Sequence, residues 1–338
     1  MKKVLGTIIL AILFINSSVS AQASQFRLGV EVMTGQHQRQ GTSFYDLVLA
    51  PGQSSTERMI ITNHSNEPVD VIVHYTNATT DNGGSARYGR RSDDFAQVES
   101  EFHVGDVLNG TREITIAGNQ SYELNFTVTM PEQAFDGLLA FGIEVFEDVD
   151  LSEEEVDGAG IINTQSFAVP VIIRQNANQV ESQLVLENAR AHQRNFANVM
   201  AVDFVNPARR FINLMDVEAR VYPANAEEPL FMTENTGMQM APQSQFTFSI
   251  PLDRQPFAPG DYVFVANITS HEGDWEFSLP FTITAQEASA FNATDVTIYS
   301  VTNWSLIIAG SAILLAVIAV TIMAAKLKKK NKEVNYNV

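Results

Sequence analysis

The sequence predicts an all-β protein: two tandem immunoglobulin-like β-sandwich domains, followed by one C-terminal transmembrane helix. Three observations predict it. Apolar and polar residues alternate with period two wherever a pattern can be read; turn signals interrupt that pattern at short intervals; and no convincing amphipathic helix precedes Trp304. Many short strands at this spacing build sandwiches rather than a parallel α/β sheet.

In chain order, residues 1–23 read as a secretory signal peptide. Met1-Lys2-Lys3 is the charged start, Val4 to Ile15 the apolar stretch and Ala21-Gln22-Ala23 the small-residue cleavage site, with cleavage after Ala21 or Ala23 fitting equally. Residues 24–174 are the first expected sandwich. Phe26, Leu28, Val30 and Val32 alternate, as do Tyr122, Leu124, Phe126, Val128 and Met130. Met59 to Thr62, Val69 to Tyr75, Leu138 to Phe146 and Val169 to Ile173 are nearly continuous and β-branched. Pro51-Gly52, Asn63-His64-Ser65-Asn66 and Asp81-Asn82-Gly83-Gly84 separate them as turns. The segment 147–160 carries Glu147, Asp148, Asp150, Glu153, Glu154, Glu155 and Asp157 and reads as an acidic surface loop. Calcium binding is its functional alternative, but the spacing and central glycine of an EF-hand loop are missing.

The pattern restarts in residues 175–286, the second expected sandwich. Gln183 to Ala191, Asn198 to Asn206, Leu214 to Tyr222, Gln245 to Ile250, Asp261 to Thr269 and Trp275 to Thr284 supply its strands. Residues 287–303 are polar and rich in small side chains, which suits a stalk. Residues 304–325 form an uncharged apolar run, long enough at roughly 1.5 Å per residue to cross the roughly 30 Å hydrocarbon core of a bilayer. Residues 326–338 are a basic tail led by Lys326, Lys328, Lys329, Lys330 and Lys332, which the positive-inside bias keeps cytoplasmic, while Trp304 suits the outer interface.

Seven of the 21 basic residues and one of the 39 acidic ones lie in these flanking segments, leaving the ectodomain 14 basic and 38 acidic residues, a net charge of −24. Nucleic acid and anionic membrane are poor partners for such a surface. The chain has no cysteine, so stability must come from packing alone, and this argues for a bacterial surface protein rather than a eukaryotic receptor. Asn-X-Ser/Thr triplets at Asn63, Asn77, Asn109, Asn125, Asn267 and Asn292 then occur by chance.

No motif for nucleophilic catalysis is present, whether Gly-x-Ser-x-Gly, Ser-x-x-Lys or Cys beside His. The six histidines are scattered without zinc spacing, and no glycine-rich phosphate loop leads into a helix. No catalytic, cofactor-binding or metal-binding residue is assigned, no cofactor is expected, and the binding residues stay open. Trp275, alternating with charge in Trp275-Glu276-Phe277, reads as a core residue of a late strand. Tyr88 with Arg87, Arg90 and Arg91 is a basic, aromatic stretch in an acidic ectodomain. It is read as a solvated hairpin tip, with contact to an anionic wall polymer or acidic protein as its alternative.

Several stretches, in order, resemble the WxL-interacting proteins of Gram-positive bacteria. In the first domain they are Ser43-Phe44-Tyr45-Asp46-Leu47, Pro51-Gly52-Gln53, the Asn63 turn, Tyr75 to Gly83, Met130-Pro131 and Phe135-Asp136-Gly137. In the second they are Met240-Ala241-Pro242-Gln243-Ser244-Gln245-Phe246, Pro259-Gly260-Asp261-Tyr262, and Trp275-Glu276-Phe277 ahead of Phe281-Thr282-Ile283. The chain departs from the pattern at Ala140-Phe141-Gly142, where the family has Gly-Gly, at Gln243-Ser244, where it has Asn-Ser, and around Phe167 to Arg174.

The resemblance implies a non-enzymatic, membrane-anchored scaffold with an extracellular ectodomain in the cell wall and a cytoplasmic C-terminus. The first domain is then expected to bind peptidoglycan, and the second a WxL-domain surface protein or a host extracellular-matrix protein. Two other readings stand beside it: an adhesin that binds host matrix or wall polysaccharide directly, and a wall-modifying hydrolase using an unrecognised carboxylate pair.

Overall fold

A computed structural model describes residues 27–89, 98, 100–148, 165–298 and 304–334. The expected signal peptide lies outside these residues, as do Arg90, Arg91 and 149–160 of the acidic loop.

The strands fall into two stacked pairs of sheets. The first pair is built from β1 (Leu28–Met33), β2 (Tyr45–Val48), β3 (Ser54–Asn63), β4 (Val69–Asn77), β5 (Thr79–Thr80), β6 (Ala86–Arg87), the one-turn α1 (Val104–Val107), β7 (Leu108–Gly110), β8 (Glu113–Ile116), β9 (Ser121–Thr129), β10 (Leu139–Glu147) and β11 (Ser166–Arg174). One sheet has the order β1-β3-β9-β7 and the other β2-β11-β10-β4-β8, while β5 and β6 make a separate hairpin. Pairing is antiparallel except between β2 and β11. Residues 28–33 and 45–48 thus serve opposite sheets, and the chain crosses between them through the 34–44 loop. Leu124, Phe126 and Val128 point inward from β9 as their alternation predicts, and Phe126 meets Tyr45 edge-on at 5.0 Å.

The second pair contains β12 (Val185–Arg194), β13 (Ala197–Asn206), β14 (Ile212–Pro223), β15 (Phe231–Met240), β16 (Ser244–Pro251), β17 (Gly260–Thr269) and β18 (Asp274–Ile283). The sheets are β12-β13-β16 and β15-β14-β17-β18, the three-on-four Greek-key order of an immunoglobulin-like sandwich. Tyr262 adds the tyrosine corner of that fold: its hydroxyl donates to the Ala258 carbonyl at 2.8 Å, four residues upstream at the entry to β17. Burial raises its phenol above the usual range. Trp275 packs half-buried against this core, as its alternation predicts. Pro280 lacks an N–H and sits in β18, an edge strand, where no donor is required on the open side.

Two buried asparagines close equivalent loops in the two sandwiches. Asn63 ends β3 and Asn206 ends β13, and both are 0% exposed. Each side-chain oxygen accepts the N–H two residues on, from Ser65 at 2.9 Å and Ala208 at 3.1 Å. Each amide donates to the carbonyl four residues on, Glu67 at 2.7 Å and Arg210 at 2.8 Å, and across to Ile116 at 3.0 Å or Ala241 at 2.9 Å. Asn63 is thus a structural lock, inaccessible to modification. Asn206→Ala removes three hydrogen bonds from this loop, although the Ala241 carbonyl keeps the Ser244 hydroxyl at 2.8 Å, and is expected to destabilise the second sandwich by about 2 kcal/mol, measured by urea unfolding against Asn267→Ala on the exposed side of β17.

On the outer face of the three-stranded sheet, Arg190 forks onto Asp203 at 2.8 and 2.9 Å, across a bulge in β12. Burial pushes the Asp203 carboxyl up, but hydrogen bonds from Arg190, Thr247 and Asn188 outweigh it and hold the group below its usual range.

The expected stalk begins differently. Residues Ala285–Thr294 form a helix, α2, capped by a box in which Thr284 and Glu287 satisfy each other's backbone N–H groups. Ala288 is buried and Phe291 packs on Phe257 at 5.7 Å, so this segment lies against the sandwich rather than spacing it from anything. Beyond it, α3 (Trp304–Val334) is a helix of 31 residues. Its described run 311–324 is exposed throughout and, at roughly 1.5 Å per residue, about 21 Å long. Among the described residues no helix is long and apolar enough to cross a membrane.

Candidate functional site

Of the stretches that carry the sequence resemblance, Tyr75 to Gly83, Phe135-Asp136-Gly137 and Met240 to Phe246 meet at the junction between the sandwiches, while the Asn63 turn and Pro259 to Tyr262 lie at the ends away from it. The segment after β11 is fastened first. Gln175 donates to the carbonyls of Pro131 and Gln133 at 3.0 and 2.9 Å and accepts the Phe135 N–H at 2.9 Å. Asn176 and Asn178 both donate to the Asp136 carboxylate, at 2.9 and 3.0 Å. Gly137 adopts φ +84° and lies so close to Arg209 that a Cβ would stand 2.4 Å from its carbonyl oxygen. Only glycine meets both demands, which accounts for Phe135-Asp136-Gly137. The next residue, Leu138, donates to that same carbonyl at 2.8 Å.

The β5–β6 hairpin supplies the second fastening. Asp81 folds the turn by accepting from Gly83 and Ser85 at 2.9 and 3.1 Å, and it pairs with Arg87. Thr80 reaches into the second sandwich: its buried hydroxyl accepts the Ala241 N–H at 3.0 Å and bonds the Ser244 hydroxyl at 2.6 Å. Asn82 accepts from Thr247 at 3.1 Å, and the Gly84 carbonyl accepts from Gln239 at 2.7 Å. The Thr79-Thr80-Asp81-Asn82-Gly83 and Met240-Ala241-Pro242-Gln243-Ser244 stretches are therefore two halves of one contact.

This corrects the reading of 81–91 as a solvated tip. Arg87 is paired with Asp81, and Tyr88 lies half-buried across β10, where burial pushes its phenol up to about 12. The hairpin turn meets the second sandwich through Thr80, Asn82 and Gly84 while Gly83, Ser85 and Arg87 stay exposed, and nothing in the sequence placed its partner strands beside it.

Clefts flank the fastening. One, of about 210 Å³, has an apolar floor of Phe102, Leu139 and Phe141 and a polar rim that includes Asn77, His103 and Gln243. The other, of about 230 Å³, gathers Arg174, Arg209 and Arg210 with Glu272, Asn178, Asn213 and His271. Arg174 pairs with the buried Asp46 at 2.9 Å, and Arg209 lies over the rings of Phe102 and Phe135 at 5.4 and 5.5 Å. Arg210 donates to the Val180 carbonyl at 3.1 Å. Arg174 is held by Asp46, Arg209 by Glu101 at 3.4 Å, and Glu272 lines the same cleft, so among the described residues Arg210 is the guanidinium here without a carboxylate partner and the one suited to an anionic group on a ligand. The Arg209-Arg210 dipeptide was the visible signal for this cleft, but the fold had to bring Arg174 to it.

Among the described residues no group of three or more His, Asp or Glu side chains is arranged to hold a metal ion. The junction is a weld with clefts beside it.

Residues 29–147 match the family described as WxL Interacting Protein, peptidoglycan binding domain, and residues 156–293 match WxL Interacting Protein, host binding domain. No curated protein matches the chain. Among solved structures, the Salmonella enterica SafA pilin in complex with the SafB chaperone is similar at 11% identity and TM-score 0.31, over 77% of this chain and 97% of that one. The YadV chaperone is similar at 9% identity and TM-score 0.32, over 76% and 100%. The Escherichia coli chaperone DraB is similar at 13% identity and TM-score 0.30, over 76% and 96%. These likenesses are weak, and the fold rests on its own strand pairing.

Proposed function

Because the chain belongs to the WxL-interacting protein family, whose two domains it carries in order, we propose that it is a non-enzymatic cell-surface scaffold. Its first sandwich binds peptidoglycan, and its second holds a WxL-domain surface protein against the wall. The chain is anchored in the cell membrane by residues 304–325 within α3, with the lysines from Lys326 onward on the cytoplasmic side.

The junction is the observation that carries this reading. Residues that mark the family bind one sandwich to the other through buried hydrogen bonds such as Thr80 to Ser244, and they surround no reacting centre. A rigid two-domain rod suits a protein that must hold one partner at a set distance from another. Recognition then falls to the flanking clefts and to open sheet edges such as the outward side of β15 around Thr233 to Thr236, which is largely exposed. Arg210 in the arginine-lined cleft suits a carboxylate of a wall peptide.

The description of the second family as host-binding supports a further reading, in which the same sandwich meets a host matrix protein directly. One experiment separates the two. The full chain, reconstituted in nanodiscs, is mixed with purified sacculi, with a WxL-domain protein and with a host matrix protein. Co-sedimentation with sacculi and capture of the WxL-domain protein are expected. Capture of the matrix protein alone would favour the adhesin, and release of reducing sugar from the sacculi would overturn the non-enzymatic reading. Arg210→Glu is expected to weaken retention on sacculi by about tenfold if the cleft makes one charge-assisted contact.

A further inference from the structure

The end of the second sandwich farthest from the first carries an exposed apolar tip. β13 runs from Ala197 at this tip to Asn206 at the junction, about 30 Å at the rise of a strand. The turn between β12 and β13 is Asn195-Phe196, with φ +52° and +60°. Such two-residue turns favour Asn-Gly, because the second position needs a left-handed backbone that a bulky side chain resists. Phenylalanine occupies it here and is 70% exposed. Beside it lies Val296, 75% exposed, whose N–H donates to the Phe196 carbonyl at 3.0 Å. Neither side chain contributes to a core.

The chain leaves the sandwich at this same tip. The Asp295 carboxylate accepts the N–H groups of Asn198 at 2.8 Å, Thr297 at 2.6 Å and Ile298 at 3.2 Å, which pins the departing strand against the start of β13. From Ile298 to Trp304, where α3 begins, there are six residue steps, which even fully extended span only about 20 Å. The tether therefore keeps Phe196 and Val296 within reach of a surface at the start of α3.

We propose that Phe196 and Val296 insert into the lipid interface of the membrane that α3 spans, fixing the orientation of the rod on the bilayer. The proposal rests on the anchoring stated above. An aromatic and a branched aliphatic side chain held within that reach can enter the boundary between headgroups and acyl chains, where apolar burial favours them. Asp253 and Arg254, of opposite sign, form the neighbouring turn, while Glu227, Glu228, Asp261 and Asp295 leave this end of the sandwich net acidic, so apolar burial and the tether, not charge, must carry the approach to the surface.

The test uses the full chain with its two tryptophans changed, Trp275→Phe and Trp304→Phe, and with Phe196→Trp as the reporter. It is reconstituted in vesicles of phosphatidylcholine and phosphatidylglycerol whose acyl chains carry bromine near the headgroup. Leu214→Trp, equally exposed at 70% but near the junction end, is the control. At least about twofold quenching at the Phe196→Trp site, and none at Leu214→Trp, is expected if the indole lies at the headgroup boundary. Vesicle-bound protein without quenching at Phe196→Trp, or with equal quenching at both sites, overturns the proposal while leaving the anchor intact. Protein that fails to float with the vesicles overturns the anchor, and the proposal falls with it.

Discussion

Phe204→Ala is expected to destabilise the second sandwich by about 3–5 kcal/mol, the range for removing a fully buried aromatic side chain. Phe204 is 0% exposed, in the middle strand of the three-stranded sheet. Its ring stacks on Phe248 at 5.0 Å and tilts against Phe246 at 5.2 Å, so its loss opens a cavity between two rings that β16 holds in place. Those neighbours cannot collapse into the space without breaking the register of Phe204 against Phe246. With no disulfide to hold the unfolded chain together, that loss falls directly on the folding equilibrium. Urea unfolding followed by Trp275 fluorescence, in a Trp304→Phe background, reads the domain concerned. A shift below about 1 kcal/mol would mean that the core relaxes far more than a packed interior does. Phe196→Ala is the contrasting case: the same atoms are removed from a site 70% exposed, and no comparable loss of stability follows.

Much of the architecture was legible because these strands bury one face. Tyr122 to Met130 and Tyr262 to Ile268 alternate in the sequence and alternate inward and outward in β9 and β17. β15 was not legible. Its Thr233-Glu234-Asn235-Thr236-Gly237 stretch lies at a sheet edge with both faces largely in water, so nothing selects an apolar period there. Helix α2 was half-legible: Thr284 and Glu287 have the spacing of a capping box, but Ala288-Ser289-Ala290 follows in place of an apolar run, and a single buried alanine needs no stripe. The junction was beyond the reach of any local pattern. Thr80 and Ser244 are 164 positions apart, and a threonine that bonds a serine across two domains looks in sequence like any threonine in a turn. The family resemblance marked these residues without giving the reason, which is the contact they form.

Gly142→Ala is expected to loosen that junction from a distance, by dislodging the segment that leaves the β5–β6 hairpin. On β10, Phe141, Ile143 and Val145 face the core, so Gly142 and Glu144 face outward. The outward face is nevertheless covered: Glu144 is 6% exposed, because the chain at Tyr88 and Gly89 crosses directly over it. A Cβ on Gly142 would stand 1.9 Å from the Tyr88 carbonyl oxygen and 2.6 Å from its carbon, and one on Gly89 would stand 3.0 Å from the Glu144 carboxyl carbon. Both contacts at Gly142 are with backbone, so no rotamer change relieves them and the crossing segment must lift. The cost is expected at about 3 kcal/mol, the upper part of the range for overpacking. Gly105→Ala is the control, since a Cβ there meets nothing within 4 Å. Stability alone would not reveal where the damage falls, but Tyr88 does. Its phenol is held up at about 12 by burial, so lifting the segment into water should bring it back toward its ordinary 10. Alkaline ultraviolet titration, with Tyr88→Phe to assign the step, should show a tyrosine ionising earlier in Gly142→Ala and unchanged in Gly105→Ala. An unchanged Tyr88 titration in a folded Gly142→Ala protein would mean that β10 itself yields, leaving the crossing in place. If the crossing lifts, Arg87 and the hairpin turn lose their support, and Thr80, Asn82 and Gly84 lose their hold on Ser244, Thr247 and Gln239. The sandwiches would then unfold in separate steps.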